Sequence, residues 1–137
     1  MKNIIVYYQK DFNPYAKYTI NFKKTHIKVF EGVIGDDQDA DTLFSVFNSD
    51  NTNPLSYTNT TNKVCFLSKD KFGTGADFQE AMKKGEVECD HTSMSVGDIV
   101  DVDGTIYLCQ DIGWKVLNKQ KEAAWKTKKQ KLFYHYL

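Results

Sequence analysis

The sequence predicts an α+β fold: a single domain over residues 1–137, with a mostly antiparallel sheet of five to seven short strands, two short internal helices and a basic C-terminal helix at residues 117–137. Three observations predict it. Short β-branched and aromatic runs recur between turn signals, and segments near residues 40–48 and 76–84 place apolar side chains at helical spacing. Asp103-Gly104 sits between two such runs, and because both central positions of a type I′ turn need positive φ, this pair is a strong hairpin signal.

Residues 3–8, NIIVYY, read as the first strand, broken by Asp11, Asn13 and Pro14. The partial alternation of YAKYTINF, residues 15–22, and of HIKVFEGVI, residues 26–34, predicts two neighbouring antiparallel strands. The second would carry Ile27, Val29 and Glu31 on one side and His26, Lys28 and Phe30 on the other. Asp39 or Asp41 is positioned to cap a helix at 40–48 that buries Leu43, Phe44 and Phe47, and the acidic run Asp36, Asp37, Asp39, Asp41 suits its positive end. Residues 49–62 are rich in Asn, Thr and Ser around Pro54, which predicts a loop. KVCFLS, residues 63–68, follows as a strand. The second helix, 76–84, presents Phe78, Ala81 and Met82 and stops at Gly85. Residues 98–117 then form a meander: a strand through Val100 and Val102, the hairpin, TIYLC, a turn ending at Gly113, and WKVL. Asn118 is placed to cap the last helix.

Composition narrows the function classes. With 41% hydrophobic and 14% aromatic residues, the chain can bury a core without metals or cross-links. Three widely spaced cysteines, Cys65, Cys89 and Cys109, imply buried thiols rather than a disulfide framework. No stretch approaches the roughly 18 apolar residues of a membrane span, so a cytoplasmic protein without a membrane partner is expected. All 18 basic residues are lysine. The bidentate recognition that arginine gives to guanine, phosphate and carboxylate is therefore missing. Lysine for arginine, with abundant Asn and Tyr, is also what an AT-rich genome encodes.

Most of the pattern is concentrated in HTSMSVGDIVDVDG, residues 91–104. Ser93 and Ser95 offer hydroxyls to amides of the turn, Gly97 supplies a backbone shape that a Cβ would obstruct, and Asp98 is placed to cap loop amides before the strand begins. With Asp103, Gly104, Gly113 and Trp114 they form a set of structural turn residues that fix the register. A nucleophilic serine needs a base held by a third group, and His26, His91 and His135 outline no such triad. Cys89, His91 and Cys109 could supply three zinc ligands but lack a fourth. The acidic run lacks the glycine and the final glutamate of a calcium loop, and FGTGAD, residues 72–77, lacks the Gly-Lys-Ser/Thr of a phosphate loop. No catalytic residue, metal or cofactor is expected.

The order of features, with Leu43, Phe44, Phe47 and Asn48, then TSMSVGDIV at 92–100, Gly104, Tyr107 and Gly113-Trp114, resembles small phage-encoded proteins of unassigned function that carry an S-x-S-V-G-D-V/I segment. It is similar, more distantly, to the YodL-like domain. The resemblance covers about residues 25–117. It departs at His91, where many of the resembled proteins carry arginine, and in residues 64–88 and the basic C-terminus, which look like additions. It implies a phage or mobile-element accessory protein in a host cytoplasm and no reaction.

Charge gives the sharpest functional hint. Residues 115–131 hold seven lysines against Glu122, a formal +6, and the chain totals zero, so the remainder carries −6. Lys119, Lys121, Lys126, Lys128, Lys129 and Lys131, with Trp125, are the expected partner contacts, with the 49–62 loop as the alternative contact. A host protein of defence or gene expression is the expected partner, bound without catalysis. Nucleic acid is the alternative, since Trp125, Phe133, Tyr134 and Tyr136 could stack on bases, and docking of the basic segment on its own acidic body stays open. Exposed sheet edges leave self-association open.

Overall fold

The computed structural model describes residues 1–118. The strands are β1 (Lys2–Gln9), β2 (His26–Ile34), β3 (Cys65–Ser68), β4 (Lys71–Gly73), β5 (Ile99–Val102), β6 (Thr105–Cys109) and β7 (Trp114–Val116), and the helices are α1 (Ala40–Val46) and α2 (Gly75–Lys83). The strands make one sheet in the order β4-β3-β2-β1-β5-β6-β7, antiparallel at every pairing. The expected α+β class, a sheet at the upper end of the expected strand number, and both internal helices are present. Of the final helix expected at 117–137, residues 117 and 118 form a turn and the rest lies outside the described residues.

β1 is central because both of its faces are apolar. Ile4, Val6 and Tyr8 point to the main core, where Val100 and Val102 of β5 lie beside them and Leu43, Phe47, Phe78 and Ala81 of the helices cover them. Burying each large side chain fully stabilises the fold by roughly 1.5–3 kcal/mol. On the opposite face Ile99, Ile106 and Leu108 form a smaller cluster with Phe22, and Tyr7 meets Phe22 edge-on with ring centroids 4.9 Å apart.

Both helices start on reciprocal caps. Asp39 accepts from the amides of Asp41 and Thr42 while the Thr42 hydroxyl accepts from the Asp39 amide, and Thr74 and Asp77 repeat the arrangement before α2. At the hairpin, Asp103 (φ 49°) and Gly104 (φ 91°) both adopt the positive φ that the type I′ reading requires.

Four expectations need correction. Residues 15–22 make no strand; Tyr18 and Phe22 instead fold over the second sheet face. The simple alternation of β2 fails because a bulge interrupts the β1–β2 register. Tyr8 faces Ile27 and Val6 faces Phe30, so Ile27 and Phe30 share a face. The segment preceding α2 holds a strand, β4, that the sequence reading does not include; Phe72 pairs with Phe66, their rings 4.5 Å apart. Phe44 lies on the rim of α1, 39% exposed, edge-on to Trp114.

The 49–62 segment is irregular, as expected, yet it contributes to the core. Leu55 is fully buried, and Asn53 is 4% exposed. The Asn53 amide donates to the carbonyls of Phe47 (3.0 Å) and Thr92 (2.8 Å), and its oxygen accepts from the Leu55 amide (2.9 Å). Asn53→Ala is expected to cost about 2 kcal/mol, because it leaves buried backbone groups unpaired; urea unfolding followed by circular dichroism measures this.

Candidate functional site

A buried cluster of titratable groups lies where the 89–98 segment meets the end of β1. Asp98, wholly buried, is its centre. One carboxylate oxygen accepts from the Gln9 amide (2.9 Å), the other from the Ser95 amide (2.8 Å), and the His91 Nε2–H lies 3.0 and 2.9 Å from the two. The other ring nitrogen, Nδ1, donates to Asp90 at 2.7 Å. Tyr8 stacks flat on the imidazole, 4.7 Å between centroids, and its hydroxyl donates to the Thr92 carbonyl. One imidazole edge thus faces both oxygens of the Asp98 carboxylate.

A second histidine approaches from β2. His26 lies 2.6 Å from the Gly97 carbonyl through Nε2 and 2.9 Å from the Thr25 hydroxyl through Nδ1. Burial pushes its pKa below 6.5, which the bond to Gly97 only partly offsets, so the ring is neutral at pH 7. His91 goes the other way. Burial disfavours its charge, but the hydrogen bond to Asp98, the nearby Cys89 and the charge on Asp98 outweigh burial and raise its pKa to about 11. Burial likewise pushes the Asp98 carboxyl up, while His91 and the two amides pull it back.

This arrangement constrains the chemistry. As an imidazolium with both N–H groups on carboxylates, His91 has no lone pair with which to take a proton. Cys89 Sγ lies 3.9 Å from His91 Nδ1, but its thiol donates to the His91 carbonyl at 3.1 Å. The Ser95 hydroxyl donates to the Ser93 carbonyl. The serines therefore act differently from expectation: the Ser95 amide, not its hydroxyl, is the group that the turn caps. All three cysteines are free and buried, and burial pushes the thiols of Cys65 and Cys109 up to about 12. Among the described residues no three His, Cys, Asp or Glu side chains are disposed to hold a metal ion.

The charged His91 makes stability depend on pH. The folded chain keeps a proton that the unfolded chain releases above about 6.5, so this contribution is complete below that pH and is lost as pH rises toward 11. Melting temperature is expected to fall between about pH 7 and 8.5, below the usual thiol and tyrosine range. In Asp98→Asn the slope over the same interval should flatten.

Asp103, Gly104 and Gly113 all turn at positive φ. Asp101 accepts from the Gly104 amide and Asp103 from the Asn3 amide, which stitches the hairpin to β1. Gly113 turns with φ 73°, and the Trp114 indole donates to Asp41 at 2.8 Å. Asp41 thus braces β7 while Asp39 caps α1. Lys119, Lys121, Trp125, Lys126, Lys128, Lys129 and Lys131 lie outside the described residues.

Two surface features escaped the sequence. β2 and β3 pair at a single position, Phe30 with Cys65, and beside that split lies a cleft of about 620 Å³ lined by Ile27, Leu67, Lys23, Lys28 and Lys69 among others. On the second sheet face, near the β5–β6 hairpin, an open groove of about 580 Å³ holds Glu31, Asp101 and Asp103. Neither is marked by a local motif; both arise from strand order.

No family model, curated protein or solved structure matches this chain. No helix among the described residues is long and apolar enough to cross a membrane.

Proposed function

We propose that this chain is a small phage or mobile-element accessory protein that binds a host protein, acts without catalysis, and uses the lysine-rich segment 119–131 as its contact. One observation carries the reading: the charge is divided along the chain. Residues 119–137 contain six lysines and one glutamate, a formal +5, so the described residues 1–118 carry −5 in a chain that totals zero. A body and a segment of opposite sign steer association toward a partner with an acidic face. The titratable cluster around Asp98 supports a binding role, because its groups are committed to one another and to the backbone.

The test is retrieval from bacterial lysate by the full chain and by a full-length variant with Lys126, Lys128, Lys129 and Lys131 changed to Gln. The reading expects a stoichiometric protein that the native chain retains under nuclease and the variant does not. Material lost on nuclease treatment would replace it with nucleic-acid binding, whose affinity falls steeply with salt as counterions are released. Equal retention by both chains would remove the lysine segment from the contact.

A further inference from the structure

The second face of the sheet is half covered. Phe22 and Tyr18 lie over Tyr7, Ile99, Ile106 and Leu108. The other half, toward the β5–β6 hairpin, has no such cover from the described chain. There the register places Glu31, Ile5 and Asp101 side by side on β2, β1 and β5, with Val33, 54% exposed, further along β2. Glu31 and Asp101, with Asp103 at the hairpin, line the groove of about 580 Å³. The cation seen on these acids is Lys28, in an exposed pair 3.4 Å from Glu31. Asp101 and Asp103 each accept a backbone amide through one oxygen, and among the described residues the other oxygen has no hydrogen-bond donor.

The chain leaves the described structure at the edge of this groove. Leu117 packs on the second-face cluster and donates its amide to the Ile106 carbonyl. The Asn118 side chain bridges the hairpin, donating to the Gly104 carbonyl at 2.8 Å and accepting from the Ile106 amide at 3.2 Å. Gly104 itself lines the groove. The next residue is Lys119, first of a run with six lysines, one glutamate and Trp125. The open face spans about four strands, roughly 15 Å at ~4.8 Å per strand. Even at ~1.5 Å per residue, a run of this length reaches across it.

We propose that residues 119–131 dock on this half of their own sheet, their ammonium groups pairing with Glu31 and Asp101 and Trp125 covering Ile5 and Val33. Position, opposite charge and an apolar strip between the acids select this occupant. The inference goes beyond the binding reading and stands whether or not a partner exists. Where a partner does exist, it must be more acidic than the chain's own groove, so the docked segment would restrain weak partners.

The test uses the full chain with Trp114→Phe, which leaves Trp125 as the sole tryptophan. Docking predicts blue-shifted emission and several-fold weaker acrylamide quenching than in a free peptide of residues 119–137. Adding Glu31→Gln and Asp101→Asn, which keep a carbonyl acceptor, should return Trp125 toward the peptide value; 1 M salt should do so in part, as screening shortens to about 3 Å. The charge-matched pair Asp50→Asn and Asp70→Asn, on exposed turns elsewhere, should leave Trp125 protected, and thermal melts of each variant confirm folding. Trp125 as accessible as in the peptide would overturn the proposal. So would equal protection in the Glu31/Asp101 variant, or protection that fades on dilution, which marks a second copy as the occupant.

Discussion

Asp98→Ala is expected to destabilise the chain by about 3–5 kcal/mol, the range for removing one partner of a buried, hydrogen-bonded charge pair. Three losses combine. His91 keeps only Asp90, a half-exposed carboxylate, as counter-charge. The Gln9 amide at the end of β1 loses its acceptor, and so does the Ser95 amide in the turn before β5. Each buried orphan donor alone costs about 1–3 kcal/mol, and the sum is reduced where the turn relaxes or water enters. The backbone around Asp98 is also a junction, since its carbonyl accepts from the Cys109 amide and the Gly97 amide donates to the Cys109 carbonyl. Asp98→Asn keeps the shape and one acceptor and should lose less. Denaturant unfolding of both variants beside the native chain measures the difference. A loss below about 1 kcal/mol in the alanine variant would show that Asp98 does not organise the junction.

Local features of this fold were legible in the sequence, and the reason is geometric. The hairpin at Asp103-Gly104 and the cap at Asp39 involve partners within three residues, so residue type and spacing suffice. Half of Asp98's role is local in the same sense: the Ser95 amide is three residues away. The other half, the Gln9 amide, is 89 residues away and needs the pairing of β1 with β5 before it exists. The β2 bulge, the strand β4 and the burial of Leu55 within a polar loop were equally out of reach, because each is decided by what packs opposite. The polar composition of 49–62 hid Asn53, whose side chain ties α1 to the 89–98 segment. In the candidate site, the charge state of His91 follows from burial between two carboxylates, which no spacing reveals. The lysine run was legible as charge, while the acidic groove is assembled from β2, β5 and the hairpin that follows β5.

Gly97→Ala is the second large effect, expected at about 3 kcal/mol, and its origin is different. Gly97 has φ +96°, where a residue bearing a Cβ is strained by about 1–3 kcal/mol. Space is the further obstacle: a Cβ here would overlap the side-chain amide of Gln9. Gln9 has nowhere to go. It is fully buried, donates to the Val96 carbonyl at 2.9 Å, and accepts from the Asn13 amide at 3.2 Å and the Tyr18 hydroxyl at 2.5 Å. Displacing it loosens the 10–25 loop, which carries Phe22 over the second sheet face. The strain and the overlap are separable. In Gly97→Ala with Gln9→Ala the overlap disappears while the backbone strain stays, so the double variant should be less unstable than the two single losses added together. Trypsin gives an independent reading, because Lys17, Lys23 and Lys24 sit on the loop; cleavage there should speed up in Gly97→Ala. If stability falls while cleavage at these lysines keeps its native rate, the backbone strain alone accounts for the loss, and Gln9 is not what couples the turn to the loop.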